Sequence, residues 1–117
     1  MLLNNMMNGK DLIEGLKSIL KKNQLLLKGD VLSRFSHIWK TDQKLQAIAV
    51  ALPKTTKEVS EIVKLCNKHN QQIIVHGGLT NLVGGTETKK NQLVISLEKM
   101  NSIEEIDSKS KTITVQA

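Results

Sequence analysis

The sequence predicts an α+β fold in which a strand–helix–strand unit follows an amphipathic helix. Apolar runs at residues 46–53 and 72–76 flank a segment with helical periodicity at residues 55–70. An earlier segment, residues 10–22, has the same periodicity, and a glycine-rich stretch at residues 75–86 follows the second strand. This order is typical of a βαβ unit, whose crossover we expect to be right-handed.

The first predicted helix has one apolar face, and its lysines lie on the other face and near its C-terminal end, where they suit the helix dipole. An amphipathic helix of this kind can lie on a membrane surface, but its apolar face has no aromatic anchor. We therefore expect it to dock on the domain. Its apolar residues are Leu12, Ile13, Leu16, Ile19 and Leu20.

The next segment contains both aromatic residues of the chain. Residues 31–37 predict a short helix, and we expect Phe35 and Trp39 to serve in the core or at a hinge. Pro53, the only proline, ends the strand at residues 46–53 because proline cannot donate to a sheet ladder.

The helix at residues 55–70 has a clear start signal. Thr55 is the expected N-cap, and Glu58 three residues later completes a capping box. We expect Cys66 to be a small buried hydrophobic residue, and His69 to suit the helix dipole without any chemical role. The predicted apolar stripe consists of Val59, Ile62, Val63 and Cys66.

Three further strands are predicted after the glycine-rich stretch. Residues 92–97 form a buried strand, and residues 102–106 and 111–117 flank the hairpin turn at residues 107–110. The chain stops at Ala117 inside an apparent strand, so we expect it to be a fragment of a longer protein.

Composition narrows the function classes. Seventeen Lys and Arg against eleven Asp and Glu give a net charge of +6, and Arg34 is the only arginine. Scattered lysines with few aromatic rings favour a solvated basic surface over a nucleic-acid site, although a positive field can attract an anionic ligand. The single cysteine, the lack of an apolar run of transmembrane length and an N-terminus unlike a signal peptide predict a cytoplasmic protein.

Four of the seven glycines lie in two pairs, Gly77–Gly78 and Gly84–Gly85. Successive N–H groups in such a turn form a concave site for an anion, to which Thr80 adds a hydroxyl and Asn81 an amide, and a pyrophosphate would fit there. The Walker A spacing is absent because no lysine follows Gly85, and the G-x-G-x-x-G spacing is absent as well. The alternative is that the loop is only a tight structural turn.

Several motifs in order resemble one family. "P-x-T-x-x-E-V" begins at Pro53, "GG-x-T-x-x-x-GG" at Gly77, "ISL-x-x-M-N" at Ile95 and "T-x-T-V-x-A" at Thr112. Residues 30–117 resemble the FAD-binding domain of the vanillyl-alcohol oxidase and p-cresol methylhydroxylase (PCMH) superfamily, closest to its D-2-hydroxyacid dehydrogenase branch. The resemblance implies the N-terminal, βαβ-containing subdomain of a PCMH-type FAD-binding fold.

The resemblance also implies a cofactor site. In this family the loop binds the FAD pyrophosphate largely through backbone amides. His76 departs from the Arg or Gln that is common there, and it is either a neutral donor near a phosphate or a structural histidine. Leu79 stands where relatives with covalent FAD have histidine, which implies noncovalent FAD. The implied FAD-binding residues are His76, Gly77, Gly78, Leu79, Thr80, Asn81, Gly84 and Gly85.

The function implied for the parent protein is oxidation of a D-2-hydroxyacid by hydride transfer to the flavin. We divide the chain into an N-terminal helical segment, residues 1–45, and the first part of the FAD-binding domain, residues 46–117. No residue is assigned to catalysis, so we expect the 117-residue chain alone to be inactive. Without the rest of the domain it should bind FAD weakly, and the open edge of its last strand should favour self-association. The histidines have no metal-ligand spacing.

The expected partner of the parent protein is a small 2-hydroxyacid, with no nucleic acid, and contact with a membrane surface or an electron acceptor is left open. The rival interpretation is a non-enzymatic nucleotide-binding or assembly module that uses the same loop.

Overall fold

The computed structural model describes the backbone of residues 2–117 and the side chains from residue 9 onward. It is a mixed structure of helices and strands, which confirms the predicted class. In chain order the elements are α1 (Leu2–Ile19), a 3-10 helix (Lys22–Gln24), β1 (Leu25–Leu26), α2 (Gly29–Leu32), β2 (Ala49–Ala51), α3 (Thr56–Lys68), β3 (Ile73–His76), β4 (Leu93–Ser96), β5 (Ile103–Asp107) and β6 (Thr112–Val115).

The main sheet has four strands in the order β1-β2-β4-β3. Strand β4 pairs in parallel with β2 on one edge and with β3 on the other, whereas β1 runs antiparallel to β2. The predicted strand–helix–strand unit is therefore β2–α3–β3, and β4 is inserted between its two strands. A later part of the chain thus completes the unit.

Strand β4 is buried along its whole length, as predicted. Its alternating side chains enter two different cores. Leu93 and Ile95 pack with the apolar residues of α1 and α3, whereas Val94 packs with the cluster around Val31 and Leu45. A continuous apolar run suits a strand that is covered on both faces.

Helix α1 docks on the sheet, as expected for an amphipathic helix. Leu12, Leu16 and Leu20 are buried in the first core. The helix runs from Leu2 to Ile19 and not over residues 10–22, because the chain turns into the 3-10 helix after it. At Gly15, an added Cβ would lie 2.7 Å from both methyl groups of Leu65. The lack of a side chain there allows α1 and α3 to approach closely.

Thr55 caps α3 as predicted, and its hydroxyl accepts a hydrogen bond from the Glu58 amide at 3.1 Å. The prediction that Glu58 completes a capping box is wrong, because the reciprocal hydrogen bond is not formed. The Glu58 carboxylate accepts from the Lys54 amide at 2.6 Å, and not from the amide of Thr55. The same carboxylate accepts from Gln24 Nε2 at 2.9 Å, so the start of the helix is tied to the chain that precedes β1.

The predicted stripe on α3 is only partly correct. Ile62 and Cys66 are buried, whereas Val63 is 45% exposed. Leu65 packs against the core in its place because the face centred on Ile62 continues at spacings of three and four residues. Cys66 is the small buried residue that we expected, and burial raises the pKa of its thiol to about 11.

The segment between α2 and β2 differs from its prediction. The helix covers Gly29–Leu32, so the helix expected at residues 31–37 is wrong. An antiparallel bridge joins Phe35 to Lys44 and holds the segment by backbone pairing. The core role expected for Trp39 is also wrong, because its side chain is 73% exposed, whereas Phe35 is half-buried.

Strands β5 and β6 form the predicted antiparallel hairpin. The Asp107 carboxylate accepts hydrogen bonds from the amides of Lys109 and Ser110 in the turn, and the Ser110 side chain, followed by these amides, lowers the pKa of Asp107. A bulge between Ile103 and Glu105 shifts the register. Consequently, the hairpin's four apolar side chains share one exposed face: Ile103, Ile106, Ile113 and Val115.

None of the helices in the described residues combines the length and the apolar character needed to cross a bilayer.

The burial difference on α3 gives the first testable expectation. We expect Ile62→Ala to lower the free energy of unfolding by about 2–5 kcal/mol because it removes fully buried methyl groups. The neighbouring change Val63→Ala should alter it by less than about 0.5 kcal/mol because that side chain is already 45% exposed and lies outside the core. Chemical denaturation of both variants measures the difference, and equal losses would show that the core face of α3 is misassigned.

Candidate functional site: the glycine-rich loop

The glycine-rich loop, residues 77–86, leaves the C-terminal end of β3. At that end His76 is paired with Ser96, the last residue of β4. The loop therefore lies at the carboxyl edge of the parallel strands, the edge at which open α/β sheets bind their ligands.

The amides of the loop are free of protein acceptors over a long run. Within the described part of the chain, no N–H group of residues 77–84 donates a hydrogen bond to a protein atom. The run ends at Gly85, whose amide donates to Asn81 Oδ1 at 3.2 Å, and at Glu87, whose amide donates to the Gly84 carbonyl. Such a run offers several donors to one anionic ligand.

At two of the four loop glycines, neither the backbone conformation nor the packing of the chain requires glycine. Gly77 and Gly78 do not adopt a positive φ, and an added Cβ would meet nothing within 4 Å at Gly77 and only Thr80 Cγ2 at 3.9 Å at Gly78. The backbone and packing of the chain therefore do not require glycine at either position. A ligand that comes close to the main chain would require it.

Two other residues of the loop are shaped by the backbone itself. Gly84 has a φ of +73°, where glycine is favoured, and Leu79 has a φ of +59° although it carries a side chain. The left-handed conformation costs a residue with a Cβ about 1–2 kcal/mol. The surrounding contacts therefore hold Leu79 in a conformation that it would otherwise avoid.

His76 closes the base of the loop. Its side chain is 1% exposed, and its Nε2 lies 2.8 Å from the carbonyl oxygen of Thr86. Because a carbonyl only accepts, Nε2 carries the hydrogen, and the buried Nδ1 is left without a partner among the described residues. Burial lowers the pKa of the imidazole against the opposing effect of the Thr86 carbonyl, so His76 is neutral at neutral pH.

Further hydrogen bonds tie the loop to residues 36–39. The Thr86 hydroxyl donates to the Ser36 carbonyl at 2.5 Å and accepts from Asn81 Nδ2 at 3.0 Å. The Asn81 carbonyl accepts from His37 Nε2, while His37 Nδ1 accepts from the Trp39 amide at 3.0 Å. The Thr86–Ser36 and Asn81–His37 pairs had no signal in the sequence because 50 and 44 residues, respectively, separate the partners along the chain.

The expected site residues thus divide into two groups. His76 and the Asn81 carboxamide are engaged inside the loop, the latter at both its oxygen and its nitrogen. The amides from Gly77 to Asn81 and the exposed Thr80 side chain remain available. At the tip, Leu82 and Val83 are 89% and 90% exposed, so the loop projects an apolar tip into solvent.

The fold is that of a flavin-binding module. The chain belongs to the FAD-binding domain family, whose model, described as an FAD binding domain, matches residues 47–117. This result confirms the resemblance seen in the motifs and identifies FAD as the cofactor of the family.

Its relatives are oxidoreductases of hydroxyacids. The glycolate oxidase subunit GlcD of Bacillus subtilis is 43% identical over 68 residues, which cover 58% of this chain and 14% of that protein. The D-2-hydroxyglutarate–pyruvate transhydrogenase of Saccharomyces cerevisiae is 31% identical over 103 residues, which cover 86% of this chain and 21% of that protein. The chain therefore spans only 14–21% of the length of these curated relatives.

Solved structures give the same fold. Alkyldihydroxyacetonephosphate synthase matches with a TM-score of 0.70 at 24% identity, over 89% of this chain and 21% of that one. p-Cresol methylhydroxylase matches with a TM-score of 0.62 at 20% identity, over 86% of this chain and 20% of that one. These two matches establish the PCMH-type fold. The division at residue 45 and the individual FAD contacts stay predictions.

The two glycines of the second pair should respond differently to substitution. We expect Gly84→Ala to lower the free energy of unfolding by about 1 kcal/mol because alanine is strained at a φ of +73°. Gly85→Ala is the matched control, since its φ is not positive and its new Cβ would make an ordinary contact of 3.9 Å with Val83. Denaturant midpoints compare the two variants, and an unchanged midpoint for Gly84→Ala would contradict the loop conformation described above.

Proposed function

We propose that this chain is the pyrophosphate-binding part of an FAD-dependent oxidoreductase that oxidises a D-2-hydroxyacid. One observation carries the proposal: a run of loop amides without a protein acceptor among the described residues includes two glycines that neither the backbone nor the packing of the chain requires. Membership of the FAD-binding domain family supports it.

The loop would hold the diphosphate through its main chain. In this proposal the amides from Gly77 to Asn81 donate to the phosphate oxygens, and the Thr80 hydroxyl adds another donor. Hydrogen bonds to charged oxygens are stronger than those between neutral groups. Gly84 and Gly85 let the second half of the loop come close to the ligand, and the net charge of +6 favours an anion near the domain.

The substrate class follows from what the relatives do. The relatives include a glycolate oxidase subunit and, from Xanthomonas citri, a D-2-hydroxyglutarate dehydrogenase that is 31% identical over 86 residues, 74% of this chain and 18% of that protein. When bound, FAD would supply the acceptor for a hydride from the substrate α-carbon. We assign no group of this chain to the substrate, and we place the catalytic groups in the part of the relatives that this chain does not span.

Replacing Gly78 tests the loop in the complete flavoprotein, by which we mean this chain together with the remaining sequence that its relatives have. We expect Gly78→Val to weaken FAD binding at least tenfold because its side chain would occupy the space over the free amides. The fold should be retained, since an added Cβ meets only Thr80 Cγ2 at 3.9 Å. Flavin content after purification and calorimetric titration of the apoprotein measure the effect.

Gly29→Val is the matched control, because a Cβ at Gly29 meets nothing within 4 Å and Gly29 lies outside the loop. Normal FAD binding by Gly78→Val, or an equal loss in both variants, would remove the support for a phosphate at this position.

Leu79 leads to an expectation about attachment. The covalent relatives that the motif resembles have histidine at this position, and leucine has no nucleophilic atom with which to form such a bond. We therefore expect acid precipitation of the complete flavoprotein to release all of its FAD into the supernatant. Flavin fluorescence of the two fractions measures this, and flavin that remains in the pellet would reveal a covalent link elsewhere.

The substrate class can be tested with enantiomers. Under anaerobic conditions, D-lactate or D-2-hydroxyglutarate should bleach the flavin absorbance of the complete flavoprotein, whereas the L-enantiomers should not. A flavoprotein that binds FAD but is bleached by neither D-hydroxyacid would support the FAD site and refute the proposed substrate class. A protein without flavin would instead favour a non-enzymatic role for the loop.

A further inference from the structure

We propose that His76 is a positioning residue, whose hydrogen bond to the Thr86 carbonyl holds the two ends of the glycine-rich loop so that its amides converge on FAD. This inference rests on the proposed function of the loop. It assigns His76 a role through the main chain and no contact with the ligand.

This hydrogen bond joins the two ends of the loop. His76 precedes the loop directly and Thr86 is its last residue, and the 2.8 Å contact between them is buried. Thr86 is also fixed through its hydroxyl, which contacts Ser36 and Asn81. The imidazole therefore joins the strand end of β3 to a residue that the rest of the domain already holds in place.

Only one ring nitrogen of His76 can donate this hydrogen bond to Thr86. Nε2 must carry the hydrogen to donate to Thr86, and Nδ1 then has an unshared pair with no partner among the described residues. Glutamine places its amide nitrogen about as far along the side chain as Nε2, whereas asparagine places its amide nitrogen near the position of Nδ1. The two amide side chains therefore separate the function of one ring nitrogen from that of the other.

Protonation of His76 gives a second test, which measures stability and not FAD binding. A charged His76 keeps its Nε2 donor but places a second N–H in a buried position. Arg34 opposes this charge and Glu98 favours it, and the two are paired with each other, with Arg34 Nη1 3.2 Å from Glu98 Oε1. His37, which also binds the loop, is the remaining histidine in this network.

The direction of the pH dependence of stability follows from the lowered pKa of His76. The unfolded chain binds the proton more readily than the folded one, so the contribution of His76 to stability is complete above pH 6.5. It is lost as the pH falls from 6.5 through the lower pKa of the folded state. A His76→Gln variant does not titrate and should lose this part of the pH dependence.

The experiment compares His76→Gln, His76→Asn and His76→Leu in the complete flavoprotein at about pH 8, where the imidazole is neutral. Calorimetry measures FAD affinity, and denaturation from about pH 8 to about pH 5 measures stability. We expect the Gln variant to bind FAD within about threefold of wild type, and the folded Asn and Leu variants to bind it at least tenfold more weakly.

Each outcome decides between the possibilities. If the wild type does not bind FAD, the proposed function fails. If the wild type binds FAD and all three variants bind equally well, His76 is only structural and the inference fails. It also fails if the Gln variant binds poorly, or if the Gln variant keeps the full loss of stability in acid, because that loss would then not come from the imidazole of His76.

A measurement on the wild type covers the case in which the Asn and Leu variants do not fold. Nitrogen NMR of the labelled imidazole should show the hydrogen on Nε2, with coupling across the bond to the Thr86 carbonyl, in both the free and the FAD-bound protein. Loss of that coupling when FAD binds would overturn the inference.

Discussion

The structure depends on the burial of β4 between two parallel neighbours. Each of its residues is covered, and its side chains alternate between two cores, so neither core can form without it. The same pairing aligns the ends of β3 and β4, with His76 opposite Ser96. Because the glycine-rich loop leaves the chain at that point, the packing of one apolar strand fixes the position from which the loop begins.

Three polar side chains of the loop and its base hydrogen-bond within the domain, whereas most of the loop amides have no protein acceptor. The Asn81 carboxamide, the Thr86 hydroxyl and the imidazole of His76 hydrogen-bond within the domain, while the amides of residues 77–84 have no protein acceptor in the described part of the chain. Leu79 adopts a left-handed conformation within this arrangement. The network offsets that local strain, and it shapes the loop before any ligand arrives, which reduces the ordering cost of binding.

The sequence predicted those features that depend on neighbouring residues. The N-cap at Thr55, the buried run of β4 and the hairpin at β5–β6 follow from local patterns, and all three are present. The family motifs also led correctly to an FAD-binding domain, although they carry knowledge of relatives beyond the physics of single residues.

Features that depend on distant residues could not be predicted. No local pattern shows that β4 lies between β2 and β3, or that His37 contacts Asn81. The exposure of Trp39 also depends on a distant residue. The backbone bridge between Phe35 and Lys44 fixes where that segment lies, whereas the size of the Trp39 side chain had predicted burial. Similarly, the spacing of Ile103 and Ile106 would place them on opposite faces of a regular strand, and only the bulge brings them together.

The arrangement of charges suggests how the loop would select its ligand. The loop residues 77–86 contain no Lys or Arg, and Arg34 and Lys40 are each paired with a carboxylate, Glu98 and Glu87 respectively. The excess of lysine therefore acts as a diffuse field around the domain, which salt screens over about 8–10 Å. Recognition at short range would fall to amide donors held in a fixed geometry. Such donors discriminate by the shape of the anion more than by its charge, since they can satisfy only oxygens placed to match them.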